Sequence, residues 1–145
     1  MKKYIAYGSN LNDEFMRDMG HQGECLAIGA IRNSRIRFRG NGYLNLEIEV
    51  GEDEVPVAIW EIDTEVEKNI DVYERFPELY SKVDITVQTD DGLVDGFAYI
   101  MNEPASRVPA VPEKWYVDVV TKGYEFRHFD KHALNLALEE IGIIG

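Results

Sequence analysis

The sequence predicts an α+β fold in which a mostly antiparallel, mixed sheet curls into a partial barrel with flanking helices. Three observations support this prediction. Alternating apolar and polar residues, typical of strands half-buried against a core, dominate the first two thirds of the chain. The turn Asp90-Asp91-Gly92 between two such runs predicts a tight hairpin. The order along the chain, a strand, a short helix, strands, a helix, a hairpin and then helices, is typical of an α+β domain.

The chain begins with a short apolar strand, Tyr4-Ile5-Ala6, that breaks into the loop Tyr7-Gly8-Ser9-Asn10-Leu11. Gly8 can take a positive φ, and Ser9 and Asn10 favour turns, so this loop is expected to leave several backbone N–H groups unpaired. A concavity of that kind suits a carboxylate or an oxyanion. The alternative is an ordinary strand-to-helix turn, which uses the same residue types.

The remaining elements follow in order along the chain. A short helix is predicted from the N-cap Asn12 to Met19, before Gly20. Strands are predicted over 26–31, 34–39, 43–50 and 55–62, and a hairpin over 83–89 and 93–101. A helix is predicted from a cap at Asp63 or Thr64, with Val66, Ile70 and Tyr73 at helical spacing, and two more helices over 113–124 and 130–141. The first of these helices carries Asp71 and Glu74.

Three arginines share one face of the strand over 34–39, because Arg35, Arg37 and Arg39 alternate with apolar residues. Such a face is usually solvated or paired with an adjacent strand, and here Glu47 and Glu49 are the expected partners. Trp60 and Trp115 are interpreted as core or packing residues.

Composition restricts the class of protein. With 145 residues, 45% of them hydrophobic, the chain suits one domain over residues 1–145. Its net charge of −12 disfavours nucleic acid and anionic membranes as partners. The single cysteine, Cys25, excludes an internal disulfide and fits a reducing compartment, and the absence of a signal-like or long apolar segment indicates a cytoplasmic protein.

The sequence predicts neither a metal nor a cofactor. His128 and His132 are four residues apart, but no Glu adjoins His128 and no third ligand is evident. There is no glycine pattern typical of nucleotide binding and no Gly-x-Ser-x-Gly motif.

Several separated segments together resemble one known family. These are the loop over 7–11, the stretch I-D-V-Y-E-R-F-P-E-L-Y over 70–80, A-Y-I-M over 98–101, P-E-K-W-Y over 112–116, and Gly123-Tyr124. They are similar to the γ-glutamylcyclotransferase-like family, particularly its small bacterial members, and the resemblance covers most of the chain. One position departs from the pattern, because Arg75 stands where that family usually has glycine.

The resemblance implies a γ-glutamylcyclotransferase-like fold and a cofactor-independent reaction on a small γ-glutamyl substrate. In this reaction the substrate's α-amino group closes onto its own γ-carbonyl, releasing 5-oxoproline and the free amine. Glu74 aligns with the family's acidic residue and is the implied catalytic acid and base. Tyr7, Gly8, Ser9, Asn10 and Leu11 are the implied substrate-binding loop, and Tyr80 and Tyr99 are further candidates for the pocket.

Two interpretations of Glu74 follow from the residues themselves. Most glutamates on acidic helices are solvated charges. Against that, Val72, Tyr73 and Phe76 surround Glu74 with apolar groups, and Asp71 lies one turn away, where a like charge would favour the protonated form of Glu74.

A second function remains open from sequence, namely a non-catalytic member of the same fold that binds a small ligand or a partner protein. Arg75 is the residue that supports it, because its side chain is expected either to narrow the cleft or to pair with Glu74 and lower the pKa of that carboxyl. The sequence does not indicate the amine side of the substrate, and it leaves homo-oligomer formation open.

Overall fold

The computed structural model describes residues 1–143, which contain seven strands and four α-helices. The strands are β1 (Lys2–Ala6), β2 (Ala27–Arg32), β3 (Ser34–Arg39), β4 (Tyr43–Ile48), β5 (Glu54–Ile62), β6 (Tyr80–Thr89) and β7 (Gly92–Met101). The helices are α1 (Asp13–Asp18), α2 (Thr64–Tyr73), α3 (Lys114–Phe126) and α4 (His132–Glu140). The α+β class is therefore confirmed, and each predicted strand and helix is present with bounds shifted by at most a few residues.

Five strands form a closed barrel in the order β1-β5-β2-β6-β7. The long apolar strand β5 pairs antiparallel with β1 on one side and with β2 on the other. The predicted hairpin of β6 and β7 is antiparallel along its whole length, up to Thr89 opposite Gly92. The ring closes where β1 meets β7 in parallel, with Tyr4 opposite Phe97. The sheet is thus mixed and mostly antiparallel, as predicted, but its barrel is closed rather than partial.

Two glycines lie at seams of the barrel where backbones approach closely. A Cβ atom added to Gly96 of β7 would lie 2.8 Å from the carbonyl oxygen of Lys3, and one added to Gly29 of β2 would lie 2.5 Å from that of Gln88. Any side chain at these positions would push the neighbouring strand away. Glycine is therefore required here for close approach rather than for a turn.

The strands β3 and β4 form a separate two-stranded sheet, whose apolar face is wholly buried. Its inward side chains are Ile36, Phe38, Leu44 and Leu46. This hairpin lies beside the barrel and also contacts α4. It brings the first residues of β4 to the end of the barrel where β1 finishes, which matters for the site described below.

The arginine face of β3 is only partly as predicted. Arg35 pairs with Glu47 at 2.6 Å, in agreement with the expected cross-strand pair. Arg39, however, is only 7% exposed and donates two hydrogen bonds, at 2.6 and 2.9 Å, to the carboxylate of Glu140 on α4. Glu49, the other expected partner, follows the end of β4 and forms no ion pair with any described residue. The sequence pattern did not show that α4 would cover this face.

The two tryptophans differ in burial. Trp60 is wholly buried in the barrel core, as predicted, whereas Trp115 is 42% exposed on α3. Trp115 therefore lies at the surface rather than in the core. Among the described residues, no helix combines the length and the apolar character needed to cross a membrane.

Candidate functional site

The loop after β1 leaves the barrel and forms a single 3-10 turn, Ser9–Leu11. The N–H of Leu11 donates to the carbonyl of Gly8, and that of Asn12 to the carbonyl of Ser9, both at 3.0 Å. The N–H groups of Gly8, Ser9 and Asn10 donate to no other described residue. Three backbone donors on one short segment are thus free to bind a carboxylate or an oxyanion.

The sequence led us to expect a positive φ at Gly8, but the φ observed there is −126°. A left-handed backbone is therefore not the reason for glycine at this position. The reason lies instead in close packing. A Cβ atom at this position would lie 3.2 Å from the hydroxyl oxygen of Tyr116. A side chain at position 8 would therefore press against α3.

Side chains from three other elements hold the loop in place. The Asn10 side chain donates from Nδ2 to the hydroxyl of Tyr4 at 2.9 Å, and the Asn10 carbonyl accepts a hydrogen bond from the indole of Trp60 at 3.0 Å. The hydroxyls of Ser9 and Tyr73 are hydrogen-bonded to each other at 3.1 Å. These contacts tie the loop to β1, β5 and α2, which fixes the direction of its free N–H groups.

Glu74 directly follows the last residue of α2. The Asp63 side chain accepts a hydrogen bond from the N–H of Val66 at 2.9 Å and so caps the start of this helix, as predicted. At the other end, the N–H of Glu74 still donates to the carbonyl of Ile70 at 2.8 Å, and Arg75 then turns the chain with a φ of 52°. Glu74 is therefore the C-cap of the helix, not an interior residue.

Burial raises the pKa of the Glu74 carboxyl from its usual 4.5 to about 8. Glu74 as a whole is only half-buried, but its carboxyl group lies deep among protein atoms. The charged form loses its hydration there without gaining a compensating cation. Asp71 is not the cause, which differs from the expectation that a like charge would act, since burial alone accounts for the direction of the shift.

A pocket brings this carboxyl and the loop together. It is lined by Tyr4, Tyr7, Gly8, Ser9, Asn10, Leu44, Glu74, Tyr80, Tyr99 and Tyr116. Its volume is about 20 Å³, enough for about one water molecule and far less than a γ-glutamyl group occupies. The structure is thus a closed form, and side chains must move before a substrate can enter.

The structure places seven of the eight sequence-predicted site residues in this pocket. The exception is Leu11, which is wholly buried and packs against Gly123 of α3. Three lining residues, Tyr4, Leu44 and Tyr116, were not identified from the sequence as part of the site. Tyr116 belongs to the P-E-K-W-Y segment, so the motif was visible, but nothing local indicated that α3 would reach Gly8.

Five tyrosines surround the Glu74 carboxyl, and burial holds their hydroxyls in the protonated state. The pKa values of Tyr4, Tyr7, Tyr80 and Tyr116 are all raised, first by burial and further by the negative charge of Glu74. Tyr7 donates to the carbonyl of Tyr99 at 2.5 Å, and Tyr80 donates to that of Leu44 at 2.8 Å. These hydroxyls act as fixed donors rather than as bases.

Asp71 lies behind the pocket and is neutralised by a cation. Its carboxylate lies 3.0 Å from the ammonium of Lys82 and accepts a hydrogen bond from the hydroxyl of Tyr99 at 2.5 Å. Lys82 also contacts Glu67 at 2.6 Å. Asp71 therefore orients Tyr99, one of the lining tyrosines, which fits a supporting position.

Arg75 does not behave as the sequence suggested. Its side chain is exposed, is not part of the pocket lining, and forms no ion pair with Glu74 or any other described residue. Its left-handed backbone, at φ 52°, is a conformation that favours glycine. The departure from the family pattern thus affects the backbone of a turn rather than the charge of the site.

One buried polar atom in the pocket lacks a partner among the described residues. Asn10 is 1% exposed, and its Oδ1 accepts no hydrogen bond, although Nδ2 of the same amide is bonded to Tyr4. An unpaired buried acceptor costs about 1–3 kcal/mol. A ligand that brings a hydrogen-bond donor, such as an ammonium group, would remove that cost.

Other features of the described residues carry less chemistry. A larger cavity of about 670 Å³ lies between β2, β6 and the start of α4, but its lining contains neither Glu74 nor any residue of the loop over 7–11. No cluster of three side chains suited to a metal ion is found in residues 1–143. His128 precedes α4 and His132 begins it, so the two do not share a helical face.

Comparison of the sequence with models of known protein families finds a match to one family. The family model described as "Gamma-glutamyl cyclotransferase, AIG2-like" matches residues 4–118 of this chain. That range includes the loop, Glu74 and all the lining tyrosines. No curated protein matches the sequence.

Solved structures share the fold at low sequence identity. A structure named gamma-glutamyl cyclotransferase is 18% identical, with a TM-score of 0.75 over 99% of this chain and 88% of that one. An uncharacterised human protein is 19% identical, with a TM-score of 0.76 and the same coverage. YkqA from Bacillus subtilis is 13% identical, with a TM-score of 0.78 over 99% of this chain and 56% of that one. At such identities these likenesses establish the fold alone.

Proposed function

Because this chain belongs to the gamma-glutamyl cyclotransferase, AIG2-like family, we propose that it is a cyclotransferase that acts on γ-glutamyl amines or γ-glutamyl amino acids. The products are 5-oxoproline and the free amine. The observation that carries the proposal is the pairing, within one pocket, of a buried carboxyl whose pKa is about 8 with a loop of unpaired N–H donors.

The reaction needs little beyond positioning and proton transfer. The substrate's α-amino nitrogen attacks its own γ-carbonyl carbon, which forms the ring bond and places negative charge on the carbonyl oxygen. Collapse of this intermediate breaks the bond to the leaving nitrogen. Holding the substrate bent makes the attack intramolecular, and well-oriented reactions of this type reach effective molarities of about 10⁵–10⁸ M.

Glu74 is the group we assign to both proton transfers. The α-ammonium first loses one proton to solvent and becomes the nucleophilic amine. As the ring bond forms, the Glu74 carboxylate takes a second proton from this nitrogen, and as a carboxylic acid it gives that proton to the leaving nitrogen. A pKa of about 8 suits both roles, because neither protonation state is strongly disfavoured near neutral pH. The surrounding tyrosines cannot compete as bases, since burial raises their pKa values further.

The other polar groups of the pocket complement the rest of a γ-glutamyl group. The free N–H groups of Gly8, Ser9 and Asn10 suit the developing oxyanion or the substrate's α-carboxylate. The unpaired Oδ1 of Asn10 suits the α-ammonium, which supplies the donor that this atom lacks. The pocket thus offers acceptors for one end of an amino acid and donors for the other.

The direct test is release of 5-oxoproline from a panel of γ-glutamyl dipeptides and γ-glutamyl amines, with wild type and Glu74→Gln. The Gln variant keeps the shape of the side chain and removes the base. We expect kcat to fall at least about 100-fold, while the substrate dissociation constant changes little.

Glu78→Gln is the matched control, because Glu78 is an exposed glutamate four residues further along and not part of the pocket lining. It should retain wild-type turnover. Near-full activity of Glu74→Gln would refute the assignment of Glu74. If wild type turns over no member of the panel yet binds some of them, the chain is a ligand-binding member of the fold instead.

A further inference from the structure

The amine side of the substrate has no place in the closed pocket, and a stack of three tyrosines beside the pocket points to one. We propose that the position stacked on the rings of Tyr73 and Tyr116, which the ring of Tyr43 fills in this structure and which we call the slot, binds a planar apolar ring on the amine side of the substrate. This inference rests on the proposed function and names the class of leaving group.

The Tyr43 ring stacks nearly parallel on each of the other two rings. The Tyr43 ring lies 4.6 Å from that of Tyr116 with an angle of 9° between the planes, and 5.8 Å from that of Tyr73 at 21°. The rings of Tyr73 and Tyr116 therefore each present a flat face to the position that the Tyr43 ring occupies. The group that occupies this position now is itself a planar aromatic ring, so the slot already has the shape that such a ligand requires.

The slot is continuous with the Glu74 pocket. Tyr116 belongs to both, since it lines the pocket and stacks on Tyr43. On the other side, the hydroxyl of Tyr73 is bonded to that of Ser9, a residue of the donor loop. A substrate whose γ-carbonyl lies at the loop would therefore extend its leaving group towards these rings.

Tyr43 is the member of the stack that can leave. It is half-exposed and is the first residue of β4, after the turn over 40–42. Tyr116 is buried, and its hydroxyl accepts a hydrogen bond from the N–H of Leu44 at 3.0 Å. Tyr73 is held through Ser9. Rotation of the Tyr43 side chain would thus open the slot while both walls remain in place.

The surroundings of the slot favour an apolar ring over a cation. Trp115 lies edge-on to Tyr43 at 6.3 Å and is 42% exposed, and Val72 beside Tyr73 in sequence is 79% exposed. The carboxylate of Glu113, the residue before α3, is already hydrogen-bonded to the indole of Trp115. Trp115 thus offers apolar surface beside Tyr43, and among the described residues no Lys or Arg lies over the rings of Tyr43, Tyr73 or Tyr116.

The test compares γ-glutamyl amides of benzylamine, cyclohexylmethylamine and ethylamine. The benzyl and cyclohexylmethyl groups are similar in size, so their comparison isolates the planar ring. We expect kcat/KM for 5-oxoproline release to be about 2- to 10-fold higher for the benzyl amide than for the cyclohexylmethyl amide, and lowest for the ethyl amide. Affinities measured by calorimetry on Glu74→Gln should show the same order, independently of turnover.

Variants locate the preference in the slot. Tyr73→Leu should abolish the preference for the benzyl amide, whereas Tyr73→Phe, which keeps the ring, should retain it. Phe126→Leu, at an exposed ring elsewhere on α3, should leave the wild-type pattern unchanged. If Tyr73→Leu keeps the full preference, the proposed slot is wrong.

Failure of this inference differs from failure of the proposed function. Equal kcat/KM and equal affinity for all three amides, with 5-oxoproline released, would overturn the slot and leave the enzyme assignment standing. Tighter binding of the benzyl amide without any turnover would support the slot and overturn the enzyme assignment. Absence of both binding and turnover would overturn both.

Discussion

Glu74 links the chemistry of the pocket to the stability of the fold. A glutamate that is ionised in the unfolded chain above pH 4.5 becomes, in the folded protein, an acid with a pKa of about 8. Between these values the folded state holds a proton that the unfolded state does not. Ionising the Glu74 carboxyl in the folded protein, as its role as a base requires, therefore lowers the free energy of unfolding.

This linkage gives a prediction for pH dependence. The raised pKa of Glu74 contributes stability that is fully present below about pH 4.5 and is lost as the pH rises through about 8. The Glu74→Gln variant has no carboxyl at this position, so its stability does not depend on this ionisation. From pH 5 to pH 9 the free energy of unfolding of the variant should therefore rise relative to wild type, by up to about 4 kcal/mol. Urea unfolding at several pH values measures this difference, and a difference that stays constant over the range contradicts it.

Arg75 gives a second prediction at the residue scale. A non-glycine residue in the left-handed region costs about 1–2 kcal/mol, part of which glycine returns through its greater freedom in the unfolded chain. We expect Arg75→Gly to raise the free energy of unfolding by up to about 1 kcal/mol and to leave turnover unchanged, because the side chain is exposed and outside the pocket.

Arg17→Gly, at an exposed position within α1, serves as the control for Arg75→Gly. It should lower stability by about 1 kcal/mol, since glycine is unfavourable in a helix. In thermal unfolding, the midpoint should rise for Arg75→Gly and fall for Arg17→Gly. A large loss of turnover in Arg75→Gly would mean that the side chain acts on the site.

At this scale the sequence indicated residues that lie within contiguous motifs, and it missed those brought in by tertiary contact. The loop over 7–10 and Glu74 stand in segments that resemble a family, so they were found. Leu44 and Tyr116 line the same pocket but come from β4 and α3, and no local pattern connects them to Gly8. The burial of the Glu74 carboxyl, and hence its pKa, also depends on those distant residues.

At the scale of elements, α3 determines where the donor loop can lie. Gly123 of α3 packs directly on the loop, because a Cβ atom there would lie 2.8 Å from Cβ and 2.9 Å from the carbonyl carbon of Leu11. Leu11, wholly buried, is thus a packing residue that holds the loop from behind. The site depends on a helix that contributes only Tyr116 to its lining.

Gly123→Ala should therefore be destabilising although alanine favours helices. Helix propensity would give a gain of about 1 kcal/mol, but the added methyl group meets backbone that cannot give way, and overpacking of this kind costs about 1–3 kcal/mol. We expect a lower midpoint of thermal unfolding together with reduced turnover. Lys122→Ala, on the exposed face of α3, should change neither, and a stabilised Gly123→Ala would show that the loop can move freely.

Helix and strand bounds were predictable where local signals exist. The Asp63 cap marks the start of α2, and Asp90-Asp91-Gly92 marks the turn of the β6–β7 hairpin, as the sequence indicated. The start of β6 was missed, because residues 80–82 carry no apolar alternation and become a strand only by pairing with β7. Pairing partners, rather than local preference, decided the bounds there.

For the molecule as a whole, the contact between Arg39 and Glu140 joins the β3–β4 hairpin to the C-terminal helix. The guanidinium is almost completely buried, and its other carboxylate neighbour, Glu47, lies at 3.8 Å. Glu140→Ala would leave this charge largely unpaired, at a cost of about 2–4 kcal/mol in the free energy of unfolding. Denaturant unfolding measures it, and Glu139→Ala on the exposed face of α4 is the control. Equal stabilities for the two variants would contradict the prediction.

Barrel closure could not be anticipated from the sequence in the same way as the fold class. Period-2 segments and a hairpin turn indicate an antiparallel sheet, but the parallel contact of Tyr4 with Phe97 joins strands from opposite ends of the sheet. Gly96 permits this contact, but from the local sequence alone a glycine within a strand predicts only a weaker strand. Only the three-dimensional arrangement explains why that position lacks a side chain.

The contact of β1 with β7 also removes strand edges at which a second copy of the chain could pair. An open five-stranded sheet would present two edge strands whose unpaired N–H and C=O groups act as templates for intermolecular strand addition. The ring removes those edges from the barrel strands, and a bridge between Arg39 and Pro109 covers part of β3 in the hairpin. A barrel opened at the β1–β7 seam would expose both strands as aggregation-prone edges, and the close approach that Gly96 permits keeps this seam shut.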